Sequence, residues 1–316
     1  MPYTPEDKLM DMKEAIGRFV RNGDRVYLGG FIHCEPYAAA HEIIRQKKRD
    51  LTISTAAATI LVDQLIGAGC VARLITSYCW NPVPEAAHAF RRAVEKGEPR
   101  ALELEEYSFL GISLAYFAGA LKLPFVATHT MLGSGYLEHP GFMGDAKAKV
   151  VESPFDGEKV CLIPPLRHDV GIVQVQRADP KGNAQAWGML GPTRYGLLSC
   201  ERVIICAEEI VHEDAIRGDP NRTILPAFRC CAVVEEPWGA HPAYVQGCYD
   251  RDWRFASLYS RMTKSPGGFQ AFLEEWVLAV RDRKEYIRRL GEERLTSLIS
   301  KGAQSGTVTY GYHDIF

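Results

Sequence analysis

The chain reads as an α/β protein with an open, mostly parallel sheet flanked by helices. Two observations predict this. Through the first 131 residues, short apolar runs alternate with amphipathic stretches with little filler between them. Such strand–helix alternation implies right-handed βαβ units and a parallel sheet. The first run, Arg25-Val26-Tyr27-Leu28-Gly29-Gly30-Phe31, ends in two glycines and is closed by Pro36. A buried strand stopping at Gly-Gly would bring backbone N–H groups to the top edge of a sheet, where they could hold an anion or the oxygen of a carbonyl under attack. The plain alternative is a strand-to-helix turn in which glycine only supplies positive φ.

The elements follow in order. Thr4 is placed to cap a helix on which Leu9, Met12, Ile16 and Phe19 share a face, with Gly23 ending it. Residues 25–31 form the first strand and 37–46 return to helical spacing. Strands are then expected at 51–55, 71–77, 101–107 and 124–131, the last one buried, and helices at 60–66, 84–95 and 109–121. Residues about 132–156 are rich in Gly, Pro and His without a clear period, and are expected to form a long functional loop. Further strands fall at 160–164, 169–176, 202–207 and 231–234, and two helices, about 252–264 and 267–298, close the chain. Arg281, Arg283, Lys284, Arg288 and Arg289 interleave with acids as on a solvated face. The whole of 1–316 reads as one domain.

Bulk properties bound the function. The 316 residues are 47% hydrophobic, enough for a substantial core. A net charge of −2 gives no electrostatic case for nucleic acid or an anionic membrane. No apolar stretch is long enough to span a bilayer, and Met1-Pro2-Tyr3-Thr4-Pro5 does not look like a signal peptide. Nine cysteines without CxxC spacing argue for reduced thiols and a cytoplasmic location, not a disulfide framework or zinc ribbon.

Four further segments stand in register with the Gly-Gly turn: Thr76-Ser77-Tyr78-Cys79-Trp80-Asn81; Leu123-Pro124-Phe125 leading to Gly133-Ser134-Gly135; Asp169-Val170-Gly171-Ile172 followed by Ala178-Asp179-Pro180-Lys181-Gly182-Asn183; and Glu208-Glu209-Ile210, later followed by Pro237-Trp238-Gly239-Ala240-His241-Pro242. Together the five resemble the alpha subunit of a family I coenzyme A transferase, most closely that of the glutaconate CoA-transferase type, over residues from about 10 to 295. The resemblance implies the open α/β fold of those enzymes. It also implies a separate beta subunit whose glutamate, in a Ser-Glu-Asn-Gly or Ser-Glu-His-Gly sequence, is the nucleophile. No Ser-Glu pair occurs here, so this chain is expected to carry half an active site. Coenzyme A is implied as a substrate, with acyl-CoA and a carboxylic acid as reactants, and no permanently bound cofactor or metal. Gly29, Gly30, Phe31, Ser77, Gly133, Ser134 and Gly135 are the expected substrate- and CoA-binding positions.

Within this chain Glu35, Glu105 and Glu106 are weak catalytic candidates. His33, Cys34 and Glu35 read either as a proton-transfer cluster or as the turn leading into a helix. Glu105 and Glu106 read either as acids acting on substrate, as in related ring-opening CoA hydrolases, or as a solvated strand-end pair. An alignment counted back from Leu123-Pro124-Phe125 puts Phe109 at the hydrolases' acidic position. The turn Ile32-His33-Cys34-Glu35 is one residue shorter than usual and lacks the basic residue relatives often carry. This predicts a preference for acyl groups with a neutral distal end. Hydrolysis, ring opening or decarboxylation on the same scaffold, or a non-catalytic ligand-sensing domain, are the alternatives. His241 reads as a structural turn residue or as a contact to CoA or the subunit interface, and Cys230-Cys231 as core.

Overall fold

The computed structural model describes residues 7–81 and 86–300. In its first half, strands β1 (Arg25–Leu28), β2 (Leu51–Ser54), β3 (Val71–Thr76) and β4 (Glu103–Glu106) alternate with helices α1 (Met12–Phe19), α2 (Tyr37–Arg45), α3 (Ile60–Gly67) and α4 (His88–Lys96). Helix α5 (Phe109–Leu121) and strand β5 (Val126–Thr128) follow. Then come β6 (Lys149–Glu152), β7 (Lys159–Ile163), β8 (His168–Ala178), β9 (Ala184–Gln185), β10 (Cys200–Ile210), β11 (Thr223–Leu225) and β12 (Ala232–Glu235).

The main sheet has nine strands. Its parallel body runs β4-β3-β2-β1-β8-β10-β12, and β9 and β11 extend it antiparallel beside the far half of β8. Both faces are covered, and side-chain alternation sorts the core. Val26 and Leu28 join the apolar cluster under α1–α4 and the C-terminal helices, while Tyr27 joins the cluster under α5. The chain leaves β1 toward β2 on one side and returns through β8 on the other. A crevice at the carboxyl ends of such diverging strands is where open α/β sheets place ligands.

The alternation of the first half matches the expected elements to within a few residues, and α5 spans the same residues as its expectation. One expectation falls outside the described residues and four are corrected. Thr4 lies outside the described residues; Asp11 caps α1 by accepting from Glu14 N at 2.7 Å, and Leu9 bridges to Val233. The segment 124–131 is not a buried strand of the main sheet: β5 pairs antiparallel with β7, and β7 with β6, in a separate three-stranded sheet. Part of 132–156 is therefore β6, every residue of which is exposed, so no buried face gave it a period. The segment 267–298 is broken into a helix over Pro266–Leu273 that continues as a π-helical turn over Glu274–Leu278, then helices Arg283–Leu290 and Glu292–Leu298, because Asp282 accepts from Glu285 N and starts a new helix. Arg283 is not solvated: it is buried and donates to the carbonyl oxygens of Trp238 and His241.

Candidate active site

The carboxyl edge of the parallel strands collects most of the expected site residues. The Gly-Gly turn leaves β1 at Leu28, but its N–H groups are not bare. Gly29 N donates to Ile172 O at 2.8 Å, Gly30 N to Thr193 Oγ1 at 3.1 Å, and Phe31 N to His33 O at 3.0 Å. The expectation that Gly29 and Gly30 present free donors is therefore corrected: β8 and the 193–198 helix take them. The glycines serve the shape of the turn. Gly30 has φ +91°, and a Cβ there would lie 2.5 Å from His33 O. A Cβ at Gly29 would meet Val173 at 2.8 Å.

This turn is strained beyond its glycines. Ile32 (φ 52°) and Cys34 (φ 58°) both occupy the left-handed region. For a β-branched residue that is an outlier costing about 1–3 kcal/mol, and such strain concentrates at ligand sites. Ile32 N–H has no hydrogen-bond partner among the described residues, unlike the N–H groups before it.

The acidic candidates are all placed. Glu35 is buried and accepts from Thr59 Oγ1 at 2.5 Å; burial raises its pKa. Glu105 is fully buried, correcting the expectation of a solvated pair: Lys147 Nζ lies 2.9 Å from its Oε1, and Met143 N donates to Oε2 at 2.8 Å. Lys147, buried too, also donates to Tyr136 O at 2.8 Å and sits over the Tyr107 and Tyr136 rings. Glu106 is exposed. Cys34 is buried and burial pushes its thiol pKa well up, which disfavours a thiolate nucleophile. His33 Nε2 accepts from Gln246 N at 3.0 Å and lies 3.3 Å from Cys34 Sγ, and burial lowers the imidazole to about 4.

The other candidates are placed by separate contacts. Phe31 and Phe109 meet edge-on with ring centroids 5.2 Å apart. Ser108, which caps α5, lies 2.7 Å from Thr130 Oγ1, just before the Gly133-Ser134-Gly135 loop. Ser134 Oγ donates to Met131 O at 2.5 Å, so its hydroxyl holds the loop. Ser77 is likewise committed, donating to Ala56 O. Two of the motif segments are scaffold. Asp179 Oδ1 accepts from Gly182 N and Asn183 N, each at 2.9 Å, in the turn between β8 and β9. His241 is fully buried against Tyr286 and Asp252, out of reach of a ligand in this structure.

Two residues not among the expected site positions, Glu208 of the Glu208-Glu209-Ile210 segment and Arg251, stand at this edge. Glu208, at the end of β10, accepts from Gln174 Nε2 (2.7 Å), Tyr249 OH (2.7 Å) and Trp238 N (2.6 Å), and burial pushes its pKa up to about 7. Arg251 donates to Ile32 O, so the strained turn has a cation beside it after all. The premise of a cation-free turn is corrected: the basic group comes from 219 residues away instead of from the turn itself. Among the described residues no cluster of His, Cys, Asp and Glu is placed to hold a metal, and no helix is long and apolar enough to cross a membrane.

An open parallel sheet with a strained Gly-Gly turn at its switch point defines an α/β protein of the kind that places ligands at the carboxyl ends of its strands. The chain belongs to the Coenzyme A transferase family, whose profile matches residues 9–236. It is an enzyme chain of the CoA-transferase alpha type. It is 38% identical over 285 residues to the A-subunit of the 3-oxoadipate CoA-transferase of Pseudomonas knackmussii, covering 90% of this chain and 99% of that one. It is 37% identical over 304 residues to the A-subunit of the glutaconate CoA-transferase of Acidaminococcus fermentans, covering 92% and 94%. The crystal structure of glutaconate coenzyme A-transferase from Acidaminococcus fermentans superposes with a TM-score of 0.88 at 35% identity, over 96% of this chain and 98% of that one.

Proposed function

We propose that this chain is the alpha half of a two-subunit CoA-transferase, active in the cytoplasm, that moves CoA between an acyl-CoA and a carboxylic acid through a glutamyl-CoA thioester on a beta subunit. One observation carries the division of labour: each buried carboxylate at the site edge is already held. Glu35 is held by Thr59, Glu105 by Lys147, and Glu208 by three donors. Exposed Glu106 lies at the end of β4, and no Ser-Glu sequence is present. The nucleophile then comes from the partner.

In the proposed reaction the partner's carboxylate attacks the thioester carbonyl, forming a mixed anhydride and expelling CoA thiolate. The thiolate attacks the glutamyl carbonyl, releasing the first acid and leaving the glutamyl-CoA thioester. The acceptor carboxylate repeats these steps in reverse. Each step passes through an oxyanion, where one preorganised donor contributes about 3–4 kcal/mol. Ile32 N–H, in the strained turn, is a donor this chain can offer; Gly29, Gly30 and Phe31 fix its position. The Gly133-Ser134-Gly135 loop, which follows Thr130 and its contact with the α5 cap residue Ser108, is assigned to CoA. Both named relatives act on dicarboxylic acids, glutaconate and 3-oxoadipate, which supports a dicarboxylic acyl group here.

Hydrolysis or ring opening by an acid of this chain is less well supported, because Glu105 is bound to a buried lysine. The reading is tested by assaying CoA exchange between glutaryl-CoA and acetate, with the chain alone and with its partner subunit. The chain alone is expected to give under about 1% of the rate of the pair, in line with loss of a covalent nucleophile. Robust turnover by the lone chain would overturn the reading.

A further inference from the structure

Beside the strained turn lies a cleft of about 560 Å³ between Ile32, Trp80, Tyr244, Arg251 and Trp253, with Asp250 on its lining. Its indoles are open to solvent: Trp80 is 51% and Trp253 is 54% exposed. Arg251 runs between aromatic faces, its guanidinium carbon 5.1 Å from the centroid of Trp253 and 5.8 Å from that of Tyr244. One N–H holds Ile32 O, and no carboxylate among the described residues forms an ion pair with it. Of the nearby acids, Glu35 accepts from the hydroxyl of Thr59 and lies close enough for the Arg251 charge to offset part of the upward push of burial on its pKa, and Asp250 is exposed. A guanidinium has five donors in a fixed plane, so a single carbonyl bond leaves donors for a planar anion.

We propose that this cleft is the acyl-tail subsite and that Arg251 determines specificity by binding the distal carboxylate of a dicarboxylic acyl group. The proposal rests on the CoA-transferase reading above. The aromatic walls suit the aliphatic chain between the two carboxyl groups, and the guanidinium marks its far end. An anion could also come from the phosphates of CoA. The carboxylate is favoured because Arg251 is bonded to Ile32, two residues past Gly30, whereas the phosphates lie a pantetheine arm away from the thioester. An Arg–carboxylate contact gives both charge and a directional pair of bonds, and a site built for such a group discriminates strongly against an analogue lacking it.

The experiment uses the two-subunit enzyme carrying wild-type chain, Arg251→Gln or Arg251→Lys. kcat/KM is measured for glutaryl-CoA and butyryl-CoA, and glutarate and butyrate binding is measured by calorimetry. The ratio of kcat/KM, glutaryl over butyryl, is expected to fall about 100-fold in Arg251→Gln, the scale of losing a charge-assisted contact, and to recover in part in Arg251→Lys. Glutarate binding should weaken in parallel. A purely structural clamp on Ile32 would lower both substrates together and leave the ratio intact, which overturns the proposal. Equal loss for both substrates with weaker binding of free CoA would assign Arg251 to a phosphate, which also overturns it. If the wild-type pair transfers no CoA yet binds glutarate in an Arg251-dependent way, the subsite stands and the transferase reading fails.

Discussion

Replacing Gly30 by valine is expected to lower CoA transfer by at least about 10³-fold. The backbone there has φ +91°, which costs a side-chain-bearing residue about 1–3 kcal/mol. Its Cβ would also lie 2.5 Å from His33 O and 2.8 Å from the carbonyl carbon of Cys34, both backbone atoms that cannot rotate aside. The turn must shift, carrying Ile32 N–H, Phe31 and the Arg251 contact with it. A misplacement of about 1 Å at a reacting centre costs on the order of 10²-fold, before any loss of the oxyanion donor. Gly23→Ala separates strain from function. Gly23 has φ +83° but nothing within 4 Å of an added Cβ, and it lies before β1 at the opposite edge. It should lose about 1–2 kcal/mol of stability with little change in kcat. Steady-state kinetics and thermal melts on both variants check this, and a wild-type rate in Gly30→Val would contradict it.

Replacing Lys147 by methionine is expected to be the most destabilising single change outside the apolar core, about 3–5 kcal/mol. Lys147 and Glu105 are both buried and 2.9 Å apart. Removing the cation strands a carboxylate that the surrounding backbone donors, Gly141 N and Met143 N, satisfy only in part. Because those donors belong to the loop that Lys147 also ties to Tyr136 O, the melting temperature and the order of the 132–148 segment should fall together. The double variant Glu105→Gln, Lys147→Met removes both charges while the glutamine oxygen keeps accepting from Met143 N. It should recover most of the loss, giving a favourable coupling in a double-mutant cycle. Chemical denaturation of the four proteins measures it. Additive losses would show that the two side chains do not act as a pair.

How much of this was legible in the sequence follows from what each residue's role depends on. Strands β1 to β3 were legible because Val26, Leu28, Ile53 and Leu74 are buried in strands that pack on both faces, and their ends carry glycine or polar turn residues. Strands β6, β9 and β11 were not, being short: β6 is wholly exposed, β9 only folds back on the end of β8, and β11 is set by pairing with β9 from farther along the chain. The Gly-Gly turn was located correctly, but the fate of its N–H groups was not. That depends on Ile172 and Thr193, which fold back beside it from the second half of the chain. Likewise nothing local to Glu105 announces Lys147, and nothing local to Ile32 announces Arg251. Charge patterning read Arg283 as solvated because its own helix is polar, whereas the carbonyl oxygens that hold it lie in the 238–241 segment.

The most direct test of the division of the active site between two chains is intact-mass and peptide analysis of the two-subunit enzyme after incubation with acyl-CoA and rapid quenching. The expected result is a CoA-sized adduct on a glutamate of the partner and none on this chain, with the adduct discharged by adding the acceptor acid. An adduct on Glu35, Glu105 or Glu106 of this chain would contradict it.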